Sequence, residues 1–249
     1  MNSKKLISLG IIIILTTAIF SYWEVRCGKK ANKGMVLSFD DTKNILSWNE
    51  SREFLKENNV IATFYVDRWD ILSSEEITIL KTLESEGHEI GVHTMNHSSY
   101  FKFIENNGTP QSYLTNEVLP SKELAENLGF QISTFAYPHG HRDPTIDTLL
   151  LDHFVNVRGI ISYPNGTQSW HTSCEDGNVF RSISPTTSEG ANMEKILNTI
   201  SNLDDDEIIL VNGHGINYGG APISLENLTL IVDSVNNNNI PWLKMKDIG

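Results

Sequence analysis

Two adjacent carboxylates, Asp40 and Asp41, directly follow the apolar run Met35–Phe39. Because successive side chains at the end of a strand point in different directions, one carboxylate can bind a metal ion while the other accepts a proton. Aspartates are also common in turns and at helix starts, and an isolated pair is more typical of those structures. The pair predicts a reactive site only if other reactive side chains lie beside it.

Three histidines are candidates for such neighbours. His93 and His97 are four residues apart at the end of an apolar run, a spacing that lets both imidazoles reach one Zn²⁺ or similar ion. Together with one carboxylate they would leave coordination positions open for water and substrate. His214 follows the apolar run Ile208–Asn212 between two glycines, whose lack of side chains we expect to let a substrate approach closely. Each histidine taken alone also fits a polar loop.

Short apolar runs alternate with longer amphipathic ones from about residue 34 onward, as expected for repeated β/α units around a parallel sheet. The predicted strands are Met35–Phe39, Ile61–Val66, Glu89–His93, Ile132–Tyr137, Val155–Ile161, Val179–Ile183, Ile208–Asn212 and Ile240–Leu243. The predicted helices are Asn49–Asn58, Ser74–Glu86, Thr115–Leu128, Pro144–Asp152, Glu189–Leu203 and Leu225–Asn236. Ser73 or Ser74, before Glu76, is a candidate helix cap. This order fits an open doubly wound sheet or a closed barrel, and both place reactive side chains at the carboxyl ends of the strands.

Four segments at these strand ends resemble the motifs of the polysaccharide deacetylase family, also called the NodB homology domain or carbohydrate esterase family 4. They are Ser38–Asp41, His93–His97, Thr134–Gly140 and Leu210–His214, within a similar region of roughly Gly34–Leu243. The resemblance implies an α/β fold, a distorted (β/α) barrel of about seven parallel strands. It also implies a metal-dependent hydrolase that removes N-acetyl, or alternatively O-acetyl, groups from a polysaccharide.

The same resemblance implies a role for each reactive residue. Asp41, His93 and His97 would bind a divalent metal ion, with Zn²⁺ favoured and Co²⁺, Ni²⁺ or Fe²⁺ as alternatives. Asp40 would be the general base and His214 the general acid. The residues assigned to substrate or oxyanion contact are Tyr137, His139 through its backbone N–H, and Leu210.

Two features depart from the family pattern. Ala136 occupies the position at which many members have an arginine that orients the catalytic aspartate, and the sequence has no Asp-x-x-Asp-Trp motif. Arg158, on the next predicted strand, offers a replacement guanidinium that would keep Asp40 ionised. The alternative is a surface arginine in an ion pair that contributes little.

Four other potentially reactive side chains have simpler explanations. Cys27 and Cys174 lie in no Cys-x-x-Cys or Cys/His metal spacing, so neither is expected to take part in chemistry. His139 and His141, on either side of Gly140, are more typical of a polar loop than of a substrate contact.

The N-terminus predicts an exported protein. Leu6–Trp23 contains no charged residue and follows Lys4 and Lys5, a pattern typical of a signal peptide or membrane anchor. No small-x-small cleavage site follows this segment, which favours an uncleaved anchor. We therefore expect an anchor and linker over residues 1–30 and one catalytic domain over residues 31–249, as a monomer.

Composition and context limit the partners. The net charge of −12 and the lack of a basic run among aromatics argue against nucleic acid. A polysaccharide remains the expected substrate. Because an anchor would tether the domain beside the envelope, peptidoglycan or another envelope glycan such as poly-N-acetylglucosamine is favoured over chitin-like oligosaccharides and acetylated xylan.

Two other functions fit the sequence. An inactive carbohydrate-binding protein of the same fold is disfavoured, because it would have no need for both Asp40 and His214. A metal-dependent amidase that acts on a non-sugar amide is harder to exclude, since one fold serves many substrates. Trp48, Tyr137 and Trp170 are candidates for a sugar-stacking surface, although aromatic residues more often lie in the core.

Overall fold

The computed structural model describes residues 33–160, 171–172, 178–185 and 191–248. The N-terminal segment Leu6–Trp23 lies outside these residues, as do Cys27, Trp170 and Cys174. In the part of the chain that the structure describes, no helix combines the length and the apolar character that a membrane crossing requires.

The described strands form one sheet. They are β1 (Gly34–Asp40), β2 (Thr63–Val66), β3 (Glu89–Val92), β4 (Thr134–Ala136), β5 (Asn156–Ile160), β6 (His171–Thr172), β7 (Val179–Ser182), β8 (Glu207–Gly213) and β9 (Trp242–Leu243). Seven of them are parallel, in the order β8-β1-β2-β3-β4-β5-β7. β6 is antiparallel to β8, and β9 pairs with the start of β1.

A backbone bridge joins the two ends of this sheet. The N–H of Ile183, just after β7, donates to the carbonyl of Leu210 at 3.0 Å, and the N–H of Asn212 donates to the carbonyl of Ile183 at 3.0 Å. The seven parallel strands therefore form a nearly closed barrel. The predicted distorted (β/α) barrel is confirmed, and the open doubly wound sheet is not formed.

Helices cover the outside of the barrel. They are α1 (Ile45–Glu50), α2 (Arg52–Glu57), α3 (Ser74–Ser85), α4 (Tyr100–Glu105), α5 (Pro110–Tyr113), α6 (Leu119–Asn127), α7 (Pro144–Leu151), α8 (Ala191–Asn202) and α9 (Leu225–Asn237), with a π-helical turn at Leu114–Val118 before α6. The predicted cap of α3 is confirmed: the Ser73 hydroxyl accepts from the N–H of Glu76 at 3.2 Å, and the Glu76 carboxylate accepts from the N–H of Ser73 at 2.8 Å.

The alternation of side chains along the strands separates two cores. Leu37 and Phe39 of β1 belong to the large cluster that packs against the helices, whereas Val36 belongs to a second cluster with Tyr65 and Leu210. Because side chains alternate between the faces of a strand, this second cluster lies inside the barrel. The next inward positions of β1 are Ser38 and then Asp40, so the interior becomes polar towards the carboxyl end.

The C-terminal segment closes the opposite end of the barrel. Asn156 Nδ2 donates to the carbonyls of Met245 and Ile248, both at 2.6 Å. The N–H of Lys246 donates to the buried carboxylate of Glu89 at 3.0 Å. Since this end is filled, a substrate can approach the barrel interior only from the carboxyl ends of the strands.

Candidate active site

The carboxyl rim of the barrel brings together the five residues predicted to be reactive. Asp40 ends β1 and Asp41 follows it, His93 follows β3, and His214 follows β8. β1 and β8 are adjacent in parallel register, with Phe39 beside Gly213. Neighbouring strands lie about 4.8 Å apart, so residues that are distant in sequence meet at this rim.

The carboxylate of Asp41 is the centre of this cluster. Its Oδ1 lies 3.0 Å from Nε2 of His97 and 3.7 Å from Nε2 of His93, and its Oδ2 lies 3.9 Å from Nε2 of His214. One donor atom from each of Asp41, His93 and His97 lies within 4.8 Å of the others. Lys43 Nζ also approaches Asp41 Oδ2, at 3.1 Å.

The geometry of the three donors fits a divalent cation. His93 Nδ1 donates to the carbonyl of Ala136 at 2.8 Å, which leaves the Nε2 lone pair directed at the cluster. Asp41 Oδ1 is buried and receives no well-aligned hydrogen bond from the described residues. A buried carboxylate oxygen between two imidazole nitrogens is a donor set typical of Zn²⁺ and related ions.

The protonation states also suit a cation site. Burial by itself would raise the pKa of Asp41, but contact with His97 and the charges of His93, His97 and His214 hold that pKa well below its ordinary value. Burial lowers the pKa of His93, although the two neighbouring aspartates oppose this. At neutral pH the cluster therefore contains an ionised carboxylate and a neutral His93, the forms that bind metal.

Backbone strain is concentrated around the cluster. Asp41, Thr94, His97 and His139 all have positive φ, at 76°, 71°, 55° and 60°. Residues other than glycine adopt this region at a cost that the surrounding structure must offset, and such residues are frequent at functional sites. The strained backbone of the rim loops therefore sets the directions of these four side chains.

Asp67, at the end of β2, holds the Asp40–Asp41 segment in place and was not predicted from the sequence. Its Oδ1 accepts from the N–H of Thr42 at 2.7 Å, and its carbonyl accepts from the Thr42 hydroxyl. Asp67 is fully buried, and Arg68 forms an ion pair with its other carboxylate oxygen. Its position could have indicated this role, because Asp67 is a further acidic residue directly after a predicted strand.

Arg158, on β5, reaches Asp40, on β1, across the interior of the barrel. Its Nη2 donates to the two carboxylate oxygens of Asp40 at 2.8 and 2.6 Å, and its Nη1 donates to the hydroxyl of Ser182 at 2.9 Å. Arg158 is fully buried, so it is not a surface arginine. In the β4–β5 register Arg158 lies directly beside Ala136. The guanidinium absent from position 136 is thus supplied one strand away, on the same face.

Contacts with α1 and its own loop position His214. Trp48 Nε1 donates to the carbonyl of His214 at 2.8 Å. A Cβ on Gly213 would lie 2.5 Å from Ile223 Cδ1, and one on Gly215 would lie 1.9 Å from the carbonyl oxygen of Tyr218. The expectation that these glycines admit the substrate is therefore wrong. They are required because the loop packs closely against itself.

Three residues proposed to contact substrate are buried and do not lie at the surface of the rim. Tyr137 is fully buried and its hydroxyl donates to Asp147 at 2.8 Å, while Trp48 is buried against Phe64. Neither presents a face to a sugar, so their assignment to a stacking surface is wrong. Leu210 is 2% exposed inside the barrel, which contradicts its assignment as a substrate contact. Strand alternation turns Tyr137 towards the helices. Trp48 lies on α1 within the same core cluster, and Leu210 belongs to the cluster inside the barrel.

His139 does lie at the rim. Its side chain is exposed, and its ring centroid lies 4.9 Å from that of His97. Burial lowers its pKa, with further contributions from His97, His141 and His93. His139 therefore borders the candidate metal site.

Comparison with known proteins identifies similar sequences and folds. The family model for polysaccharide deacetylase matches residues 28–156, more than half of the chain. No curated protein sequence matches significantly.

Similar solved structures include the Xyl-CE4 domain of a multidomain xylanase from the hindgut metagenome of Trinervitermes trinervoides (17% identity, TM-score 0.56, covering 87% of this chain and 89% of that one). A peptidoglycan deacetylase from Bacillus subtilis shares 16% identity with a TM-score of 0.52, over 86% and 87% of the two chains. A carbohydrate esterase family 4 pseudoenzyme from Bacillus anthracis shares 12% identity with a TM-score of 0.58, over 87% and 65%. The resemblance inferred from the sequence motifs is confirmed.

Proposed function

We propose that this chain, which belongs to the polysaccharide deacetylase family, is a metal-dependent hydrolase that removes N-acetyl groups from an envelope polysaccharide. One observation carries the proposal: the Asp40–Arg158 ion pair and His214 both border the Asp41, His93 and His97 cluster. A protein that only bound glycans would not need a carboxylate held by a buried cation next to a candidate metal site. The fold alone does not decide the matter, since a pseudoenzyme shares it.

Asp40 is suited to be the general base. Its carboxylate lies at the rim with 2% exposure, and Arg158 fixes both of its oxygens. Asn44 Nδ2 also donates to the backbone carbonyl of Asp40 at 2.8 Å. A base held in one orientation can accept a proton without first reorganising its surroundings.

Asp41, His93 and His97 would hold the metal ion. When bound there, a divalent ion such as Zn²⁺ supplies polarisation of the acetyl carbonyl and lowers the pKa of coordinated water to about 7. The backbone N–H of His139 would help to stabilise the oxyanion that develops on the acetyl oxygen. Zn²⁺ is our preferred ion, because two imidazoles and one carboxylate suit it; Co²⁺, Ni²⁺ and Fe²⁺ are the alternatives.

Hydrolysis of the amide needs a base for the attacking water and an acid for the departing nitrogen. A water oxygen forms a bond to the acetyl carbon while one proton of that water passes to Asp40. The carbon–nitrogen bond then breaks, and His214 donates a proton to the departing sugar nitrogen. The products are acetate and a glycan with a free amino group. The His214 side chain is 28% exposed, and its Nε2 faces the cluster, so this donor is accessible to a substrate in the rim.

The substrate class is inferred from the sequence of the N-terminus. The apolar segment Leu6–Trp23, preceded by lysines, supports export and anchoring, which would keep the domain beside the envelope. We therefore propose peptidoglycan or another envelope glycan such as poly-N-acetylglucosamine. The structural neighbours do not select among glycans, because their names refer to different polymers.

The test is acetate release by the zinc-loaded full chain from a panel of glycans: peptidoglycan, poly-N-acetylglucosamine, chitin oligosaccharides and acetylated xylan. We expect release from an N-acetylated envelope glycan. Asp41→Ala and His93→Ala should lose bound zinc and activity together, because they remove metal donors. Asp40→Asn should retain zinc and lose turnover.

Each outcome separates the alternatives. Glycan binding without acetate release would indicate an inactive carbohydrate-binding protein. Hydrolysis of a simple amide, with every glycan left intact, would indicate a non-sugar amidase. Normal turnover by Asp40→Asn would contradict the assignment of the general base, while loss of zinc from that variant would place Asp40 among the metal ligands.

A further inference from the structure

We propose that Phe101 and His141 form a platform for a second sugar ring of the bound polysaccharide, beside the sugar that is deacetylated. This inference rests on the proposed function, because it assigns the same rim a specificity for chains longer than one sugar. Neither residue belongs to the sequence motifs that define the candidate reaction centre.

The two rings form a parallel stack at the surface. Their centroids are 4.9 Å apart with an interplanar angle of 12°, and Phe101, on α4, is 45% exposed. The Ser99 hydroxyl lies 2.8 Å from His141 Nδ1, which fixes the orientation of the imidazole. His141 is half-buried, so Phe101 provides the exposed ring of the pair. An aromatic pair that is already ordered loses little conformational entropy when a ligand binds.

A row of rings connects this platform to the candidate metal site. The centroid of His139 lies 4.9 Å from that of His97 and 5.8 Å from that of His141. The row therefore runs from a candidate metal ligand to the exposed Phe101. Among the large exposed apolar side chains of the described residues, Phe101 is the one that ring contacts join to the reaction centre.

The backbone between β4 and α7 is shaped to present these rings. His139 has φ 60° and Gly140 has φ +70°, and a Cβ on Gly140 would lie 2.6 Å from Ile160 Cβ. The turn thus packs tightly against the end of β5, where only glycine fits. On either side of this glycine, His139 is exposed and His141 is half-buried.

The charged side chains that follow His141 are paired within the protein, so on that side the platform suits a neutral sugar. The guanidinium of Arg142 pairs with Asp147, with Nε to Oδ2 at 2.9 Å, and the Asp143 carboxylate caps α7 through the N–H groups of Thr145 and Ile146. These charges of the β4–α7 segment are therefore engaged with the protein, while Lys102, next to Phe101 on α4, is exposed. The C–H face of an N-acetylated pyranose is apolar, so it can stack on an aromatic ring while its hydroxyls stay in water.

Binding and hydrolysis test the platform separately. Calorimetric titration of the metal-free full chain would use the monomer and the tetramer of N-acetylglucosamine. We expect the wild-type chain to prefer the tetramer, and Phe101→Ala to weaken tetramer binding roughly fivefold, the effect of losing one aromatic contact. Phe101→Trp should restore it. Leu230→Ala is the matched control, because Leu230 is 46% exposed and lies on α9.

Activity of the zinc-loaded chain gives the second measurement. In Phe101→Ala, kcat/KM for the tetramer should fall roughly fivefold through KM, with a smaller change for short substrates. The platform is overturned if the wild-type chain does not bind the tetramer, or if Phe101→Ala and His141→Ala bind it as the wild type does. Acetate release together with that result would preserve the proposed reaction. Weaker binding by Phe101→Ala without any acetate release would preserve the platform and overturn the reaction.

Discussion

Replacement of Arg158 by methionine tests whether this side chain acts through Asp40. Arg158 is fully buried, and its Nη2 donates to both Asp40 oxygens, at 2.8 and 2.6 Å. Because Asp40 is itself only 2% exposed, the substitution would leave a buried carboxylate without its cation. Methionine occupies much of the space of the arginine stem, so lost packing should contribute little.

The expected loss of stability can be divided between charge and hydrogen bonds. Removal of one partner from a buried ion pair costs about 3–5 kcal/mol, since the remaining charge is uncompensated. In an Asp40→Asn background that charge is absent, and Arg158→Met should cost roughly 1–2 kcal/mol for the hydrogen bonds that remain. The coupling free energy between the two positions should therefore be about 2 kcal/mol. Independent sites add to within about 0.5 kcal/mol.

The measurement is urea denaturation of the four proteins of this double-mutant cycle. A chelator should be present, because a bound metal ion would add its own stabilisation. The zinc-loaded proteins should then be compared for turnover and zinc content. We expect Arg158→Met to retain zinc and to lose about a hundredfold in kcat, because Asp40 is no longer held in place. Arg158→Lys keeps the positive charge but not the planar guanidinium, so its loss in kcat should be smaller.

If the losses in free energy of unfolding of Arg158→Met and Asp40→Asn simply add in the double variant, the two residues do not stabilise the fold as a pair. Unchanged kcat in Arg158→Met, with normal zinc content, would refute a positioning role even if stability fell. A loss of zinc in that variant would instead indicate that Arg158 supports the metal cluster.

Two further predictions concern stability and the His214 loop. Burial lowers the pKa of His88 from 6.5 to about 4. Between these pH values His88 is protonated in the unfolded chain but neutral in the folded chain, so the free energy of unfolding falls as the pH drops from 6.5 towards 4. In urea denaturation with chelator, the loss between pH 7 and pH 5 should be about 2 kcal/mol smaller in His88→Asn than in the wild type; equal losses would contradict this. Gly215→Ala should displace the His214 loop, because the new Cβ would lie 1.9 Å from the Tyr218 carbonyl oxygen. Acetate release should show a reduced kcat, while the zinc content of the protein stays unchanged.

The barrel and the position of its rim could be predicted because strand periodicity is a local property of the sequence. The two short helices α4 and α5, of six and four residues, were missed because they are too short to show a helical period. The helix expected over Asn49–Asn58 is two helices, which meet at Ser51. Such boundaries depend on tertiary packing, which the sequence pattern does not express.

Motif positions proved less informative about the directions of side chains. Tyr137 follows Ala136 in one motif, but Ala136 faces the barrel interior and Tyr137 the helices, where it contacts Asp147 and Phe135. Strand alternation could have predicted this once the inward face of β4 was known. Asp67 was missed for a related reason, because its role depends on which loop it reaches across the rim and not on its neighbours in sequence.

The relocation of the arginine has a geometric basis that bears on how function is inferred for this fold. Position 136 and position 158 are register partners on adjacent parallel strands, and both face the interior. A side chain as long as arginine spans the interstrand separation of about 4.8 Å, so either position can deliver a guanidinium to Asp40. Absence of the arginine from its motif is therefore weak evidence of lost catalysis. The decisive feature is whether a buried cation contacts the proposed base, and here Arg158 contacts Asp40.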